Sequence, residues 1–300
     1  MNDATDWVTI VPRSPLRGDT QNTFAVSDPR RFTHVRLSTL PDGGVARLRV
    51  LGHVVPDPRA LERLTIDLAS QGCGGMVVAS SDEFYTAAQT LNRPDRARSM
   101  GEGWETRRRR DDGNDFVIFQ LGLAGQVRRL IVGTAHFRYN ATASVAVYIC
   151  GQSPAPAVES HAWKPLLDRT RLQPDTGHVF AVSGEQPAAA IRLDAFPDGG
   201  LSRDRVIGSI DPVARRKAGH HWFNSLPASH AMLCLANCGL PAEIAAEAVG
   251  QPPTSERWLQ GFHPSRVPPQ QDPAAHLRAL AAMLEGQRGK AHGSLLSRRW

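Results

Sequence analysis

Six residues in the middle of the chain have the types and spacing to act on a small polar substrate: Asp82, Glu83, Glu105, Arg107, Arg109 and His136. In the run Arg107-Arg108-Arg109-Arg110, alternate side chains of a strand face opposite ways, so Arg107 and Arg109 share one face and at most two of the four enter one site. A planar guanidinium grips a carboxylate through two parallel hydrogen bonds, which suits an anionic substrate. The same run is equally the pattern of a solvated charged strand. Asp82 and Glu83 follow a short apolar run, where they can hold N–H donors or a divalent metal, or act as turn residues. Glu105, beside Trp104, can face a substrate or pair with an arginine. A histidine side chain ordinarily titrates near neutrality, which makes His136 the preferred general acid/base, with a structural histidine as the alternative. This set demands no cofactor, and a divalent metal at the paired acids is compatible with it.

The rest of the composition narrows the class. At 300 residues with 41% hydrophobic content, the chain can build two cores of ordinary size. The net charge of +6 invites a nucleic-acid partner, but Glu102, Glu105, Asp111, Asp112 and Asp115 surround the arginine run and no nucleic-acid motif accompanies it. No long apolar segment and no signal pattern stands in the sequence, so a cytoplasmic protein without a membrane partner is expected. The four cysteines are irregularly spaced, and Cys234 and Cys238, four apart in an apolar segment, are packing residues rather than half a metal site.

The elements that must position the six residues are visible through an internal repeat. Residues 7–52 align without a gap to residues 163–208 at a constant offset of 156 (163 − 7). Trp7/Trp163, Arg13/Arg169, Leu16/Leu172, Asp19/Asp175 and Thr20/Thr176 match. Phe24-Ala25-Val26-Ser27 returns as Phe180-Ala181-Val182-Ser183, and Pro41-Asp42-Gly43-Gly44 as Pro197-Asp198-Gly199-Gly200. The repeating unit is therefore as long as the offset. Residues 53–210 hold one complete copy, residues 1–52 only the tail of another, and residues 211–300 a helical, Pro-rich appendage.

Residues 34–37 and 47–50 alternate polar and apolar, which predicts two strands, and Pro-Asp-Gly-Gly between them predicts a hairpin turn. In that hairpin Arg47 and Arg203 are outward-facing. Further strands are expected over 76–80, 116–121, 127–132 and 144–150, spaced as in a jelly roll or sandwich. A basic linker over 215–217, a helix over 226–239 closed by Gly239, and a last helix over 274–285 are expected beyond them.

Three segments of the complete copy, Ser80-Ser81-Asp82-Glu83-Phe84, the stretch from Met100-Gly101-Glu102-Gly103-Trp104 through Arg110, and Thr134-Ala135-His136-Phe137, resemble the allantoicase family. The repeated Thr33-His34-Val35-Arg36-Leu37 with Pro41-Asp42-Gly43-Gly44 is a fourth, and together they cover residues 7–208. The resemblance implies a mainly β protein, a galactose-binding-like jelly roll or β-sandwich with a small α-helical C-terminal appendage. It also implies hydrolysis of allantoate to ureidoglycolate and urea in purine breakdown. On that reading His136 and Glu105 are catalytic, while Asp82, Glu83, Arg107 and Arg109 bind substrate.

Departures from the pattern matter too. Thr33-His34 becomes Ala189-Ala190, and Leu48 becomes Asp204, which must be solvated or paired because a buried unpaired carboxylate is costly. Arg138-Tyr139-Asn140 stands where the family continues Lys-Gly-Asn. The orphan hairpin must dock on the complete copy, pair with another chain as in a homo-oligomer, or stay loose. That leaves a catalytically impaired pseudoenzyme or binding module as the alternative. In the appendage, Phe223-Asn224-Ser225-Leu226-Pro227 and Trp258-Leu259-Gln260-Gly261-Phe262-His263-Pro264 resemble pieces of an OHCU decarboxylase. Its His-Pro-Arg-Ile-Gly is broken here by Ser265, so the expected reading is a remnant with an idle His263.

Overall fold

A computed structural model describes residues 7–250 and 281, apart from 58, 59, 62 and 185. Two compact units result: residues 49–219 form one, and the described residues before and after them form the other.

The first unit is an antiparallel β-sandwich. Its strands are β1 (Thr65–Asp67), β2 (Met76–Ser80), β3 (Trp104–Glu105), β4 (Asp115–Gly133), β5 (Ser144–Cys150), β6 (Lys164–Arg171), β7 (Gly177–Ala181), β8 (Ala188–Phe196), β9 (Gly200–Leu201) and β10 (Arg203–Ile210). A strand has only two edges, yet β4 has four partners. Its first part pairs with β2 and β8, its second with β10 and β7. The register breaks between Gln120 and Gly125, and there β4 passes from one leaf to the other. One leaf is then β2-β4-β8-β5-β6 and the other β1-β10-β4-β7. Gly122 sits at the crossing, where a Cβ would lie 1.9 Å from the Cys73 carbonyl oxygen.

Sequence explains why these strands are central. β4 (DFVIFQLGLAGQVRRLIVG) and β8 (AAAIRLDAF) are apolar on both faces, as strands covered on both sides must be. Val117, Phe119, Val127, Val132, Val145, Val147, Ile191, Leu193 and Val206 meet between the leaves, with Trp104 and Leu201 closing one part of the core. β7 keeps the alternating half-exposed pattern of an outer strand, and β6 has no fully buried residue along its length.

The expected strands over 76–80 and 144–150 are present, and those over 116–121 and 127–132 belong to the single strand β4. The hairpin is not. β8 and β10 both take β4 as neighbour and do not pair with each other, because the Pro-Asp-Gly-Gly turn leads into β9, which pairs with β3. In the partial copy, residues 7–57 contain no strand at all. The basic run 215–217 is not a linker but part of helix α1 (Pro212–Asn224).

In the second unit, α2 (Ala228–Asn237) begins after Pro227 and stops before Gly239 in the left-handed region (φ 84°), and α3 (Ala242–Gly250) follows. The expected helix over 226–239 is thus present in its core. Leu226, Ala231, Leu235, Leu240 and Ala245 are buried there, and the Arg31 amide donates to the Ser225 carbonyl (2.5 Å). The last expected helix, save Ala281, and the OHCU-like stretch with His263 lie outside the described residues.

Candidate functional site

Everything proposed from sequence as a site lies where β2 ends, β4 begins and β4 ends, in stretches stitched together by hydrogen bonds. Trp104 is fully buried and its indole N–H donates to the Asp82 carbonyl (2.9 Å). Asp82 Oδ1 accepts from the amides of Phe84 (3.0 Å) and Arg107 (2.9 Å), so its short carboxylate ties the loop after β2 to the start of the arginine run. Glu83 Oε1 accepts from the Ser80 hydroxyl and from the Ala88 amide (both 3.0 Å). These are turn contacts, and each acid keeps its second oxygen for other partners.

The two candidate arginines differ. Arg107 is exposed, with its guanidinium 4.4 Å from the Phe84 ring centroid and no carboxylate partner among the described residues. Arg109 is committed: it donates to Asp111 through Nε (2.9 Å) and Nη2 (3.0 Å), and to the buried Asp115 through Nη1 (3.0 Å). Its hydrogen bonds to Asp111 and then Asp115 hold its pKa above the ordinary arginine value, and Asp111 is held below the usual carboxylate range chiefly by the same contact.

Glu105 is half-buried. Its amide donates to Thr86 Oγ1 (2.7 Å), and its Oε1 accepts from Asn140 Nδ2 (2.6 Å). Asn140 therefore links the arginine-bearing stretch to the loop that carries His136. A close approach makes that link possible: a Cβ on Gly200 would lie 2.0 Å from the Asn140 carbonyl oxygen, and one on Gly103 would meet the Phe137 ring at 2.7 Å.

His136 adopts φ 72°, a left-handed conformation that a non-glycine residue rarely takes and that needs outside support. Asp175 gives that support. Its Oδ1 accepts the His136 amide (2.8 Å) and its Oδ2 accepts from Arg138 Nε (3.2 Å). The His136 amide above all, and Arg138 after it, hold the Asp175 carboxyl below its ordinary range. The exposed imidazole places Nε2 2.9 Å from the Ala97 carbonyl, an acceptor only, so Nε2 carries the hydrogen and Nδ1 is left as the basic nitrogen.

Thus Asp82, Phe84 and Arg107 form one cluster, Glu105 and Asn140 a second, and His136, Arg138 and Asp175 a third. Arg109 stands apart with its acids. Sequence reasoning passed over Asn140 and Asp175. Asp175 did stand out as the repeat partner of Asp19, but a repeated residue marks the fold before it marks a site. Among the described residues no three His, Cys, Asp or Glu side chains converge to hold a metal. A cavity of about 360 Å³ opens elsewhere, lined by Thr142, Ser144, Arg169, Arg171, Leu172 and Pro174, and none of the six sequence candidates lines it.

Two expectations about polar residues are overturned. Arg203 is not outward-facing but buried, donating to the carbonyls of Asp95 (3.1 Å), Glu102 (2.6 Å) and Ser202 (2.7 Å) and to Asp95 Oδ1 (2.9 Å). With no hairpin to turn it outward, it clamps the 95–102 loop instead. Asp204 is neither solvated nor paired. Both oxygens are buried without a hydrogen-bond partner, and burial pushes its pKa up to about 8, with Asp67 adding to the rise and Arg205 opposing it. The group answers burial by holding its proton.

Comparison with known proteins places this architecture. The sequence profile of the allantoicase repeat matches residues 1–55 and 66–211. The probable allantoicase of Streptomyces coelicolor is 43% identical over 221 residues, 73% of this chain and 57% of that protein. The probable allantoicase of Streptomyces avermitilis is 44% identical over 68% of this chain and 53% of its own length. The crystal structure of allantoicase from Saccharomyces cerevisiae superposes with a TM-score of 0.44 at 32% identity, over 48% of this chain and 43% of that one. The chain thus spans little more than half the length of the curated relatives it matches.

Proposed function

The chain belongs to the allantoicase family, and from that premise we propose that it hydrolyses allantoate to ureidoglycolate and urea. The observation that carries the reading is the meeting of the Glu105 and His136 loops through Asn140, within the stretch the family profile covers. In allantoate one carbon bears a carboxylate and two ureido groups. Breaking one of its C–N bonds needs a cation for the carboxylate, an oxygen from water on the carbon, and a proton on the departing ureido nitrogen.

Arg107, free of carboxylate partners among the described residues, is assigned the substrate carboxylate. Arg109, held by Asp111 and Asp115, supports the loop instead. His136 Nδ1 is assigned the proton that urea takes with it, its ring being oriented by the Ala97 carbonyl. Glu105, with one oxygen anchored on Asn140, is assigned the attacking water. The second oxygens of Asp82 and Glu83 are left to ureido N–H groups. A divalent metal would have to be built on these same two acids.

The reading keeps the division into a partial copy ending at 52, a complete copy to 210 and a helical appendage. It takes the cytoplasm as location and allantoate, not nucleic acid, as partner, since part of the arginine run is neutralised by Asp111 and Asp115. No helix among the described residues is long and apolar enough to cross a membrane. The test is urea release from allantoate by the purified chain, with and without divalent metal. Release no faster than in buffer alone rejects the proposal. A second reading, a binding module without turnover, draws support from the exposed apolar side chains of the partial copy, and is favoured if allantoate raises the Tm while no urea appears.

A further inference from the structure

The turn that carries Asp175 occurs twice in the chain, and the two copies close it differently. In the partial copy Asn22 closes it from within: its Oδ1 accepts the Arg17 amide (3.0 Å), and its Nδ2 donates to the carbonyls of Arg17 (3.0 Å) and Thr20 (3.4 Å). At the constant offset of 156, Arg17, Thr20 and Asn22 correspond to Gln173, Thr176 and His178. The backbone of the turn is alike in the two copies, with Asp19 at φ 49° and Asp175 at φ 51°. One asparagine thus satisfies an amide and two carbonyls.

In the complete copy the same three groups are shared between two residues. The Gln173 amide donates to His178 Nε2 (2.8 Å). The carbonyls of Gln173 and Thr176 accept instead from the hydroxyl (2.6 Å) and the amide (2.8 Å) of Thr134, and that hydroxyl accepts the Thr176 amide (3.0 Å). Thr134 opens the stretch that bears His136, and the Asp175 amide donates to the Phe137 carbonyl (3.1 Å) of the same stretch. A histidine in place of the asparagine therefore hands the carbonyls of the turn to the His136 loop. His178 is half-buried in β7, with Nδ1 3.1 Å from the Val132 carbonyl of β4 and its ring stacked on Phe180 (6.2 Å between centroids). A carbonyl only accepts, so Nδ1 carries the ring hydrogen and Nε2 is the bare acceptor. The two bonds together require one neutral tautomer.

We propose that His178, in its neutral Nδ1–H form, is a positioning residue for His136: it closes the 173–176 turn at one amide, leaves the turn's carbonyls to Thr134, and so fixes Asp175 against the His136 amide. A second proton, on Nε2, would set one N–H against the Gln173 N–H and open the turn. The support of His136 is thus present while His178 is neutral and lost as acid charges it. The charged and titratable groups about His178 are Asp175 in the turn, His136 and Arg138 on the loop it holds, and Asp204, whose backbone pairs with Val132 on the other edge of β4. Asp175 is held below the ordinary carboxylate range and Asp204 keeps its proton up to about pH 8, so both hold their charge state between about pH 7 and about pH 5, where histidines change theirs. His136 is then the one group of these whose proton uptake must be told apart from that of His178.

The role rests on His136 as the proton donor of the proposed hydrolysis, so the first test does not depend on turnover. Proton–nitrogen correlation spectra of the imidazoles of the full chain should show His178 as the Nδ1–H tautomer at about pH 7. On acidification to about pH 5 the amides of Gln173 and Asp175 should shift in step with the His178 ring. In His178→Gln, which keeps an oxygen acceptor within reach of the Gln173 amide and takes up no proton, those shifts should vanish although His136 remains. An Nε2–H tautomer at His178, or Gln173 and Asp175 amides that stay still while its ring charges, overturns the proposal. Turnover is the second test. His178→Phe keeps the stacked ring but no acceptor, and should lower kcat for allantoate about 10- to 100-fold with KM within about twofold, while His178→Gln restores most of kcat. A Phe variant as active as the Gln variant overturns the role, whereas a parent chain that releases no urea rejects the hydrolysis and leaves the positioning to be judged by the spectra.

Discussion

The two copies of the repeat tail are nearly the same sentence with different outcomes. Residues 163–208 supply β6 to β10, in both leaves of the sandwich, while residues 7–52, which align with them without a gap, contain no strand. Alternation of polar and apolar residues therefore licenses a strand and does not make one. What makes it is β4 and β5 lying alongside, offering hydrogen bonds and an apolar face at once.

The largest expected effect that would sharpen this contrast concerns Asp204, which stands where the partial copy has Leu48. The folded chain keeps Asp204 protonated up to about pH 8. The unfolded chain gives up that proton near pH 4. Stability is therefore undiminished below pH 4, falls as pH rises through the window between the two values, and levels off above it, a loss on the order of 5 kcal/mol. Asp204→Asn should remove most of that slope in urea unfolding at pH 5 and pH 8. Asp67, whose pKa is also raised by burial, leaves a remainder of the same sign. An unchanged slope would mean that Asp204 finds a partner or water.

Next comes the core. Ile191→Ala should cost about 4 kcal/mol in chemical denaturation, and Val35→Ala at the matching position less than about 0.5 kcal/mol. Equal costs would break the comparison outright. Arg203→Ala should cost about 3 kcal/mol, because it strips buried carbonyls of a charged donor, whereas Arg47→Ala should leave the unfolding midpoint where it is.

The smallest effects concern the residues the partial copy lacks altogether. Arg107→Ala should weaken allantoate binding by about 10- to 100-fold, the loss of one charge-assisted contact, with unfolding unchanged. Arg109→Ala should instead lower stability by leaving Asp115 unpaired. Isothermal titration and thermal melts on the two variants separate them, and a reversed pattern would exchange their roles.

Much of this architecture was legible beforehand. β2 and β5 were read to the residue because their apolar runs end in sharp turn chemistry. The repeat's offset set the expected length of the unit, and the three family-like segments do lie near one another. Pairing was not legible. Pro197-Asp198-Gly199-Gly200 is good turn chemistry, but whether it joins two neighbours or carries the chain past a shared strand depends on β4, some 80 residues away in sequence. The burial of Arg203 and Asp204 was hidden for the same reason, since it is the 95–102 loop and the β1 edge that cover them. Arg107 and Arg109 look alike in sequence, and only the positions of Asp111 and Asp115 tell them apart.

The four-partner strand β4 also dictates the order in which the sandwich can close during synthesis. Its second part borders β10, and β10 also holds β1. Since β10 is the last strand of the unit to leave the ribosome, one edge of β4 emerges early and waits bare for its neighbour. A bare, apolar edge is the species most open to capture by other chains. A nascent chain arrested before residue 203 should therefore bind a holdase chaperone that one arrested well beyond residue 210 no longer engages.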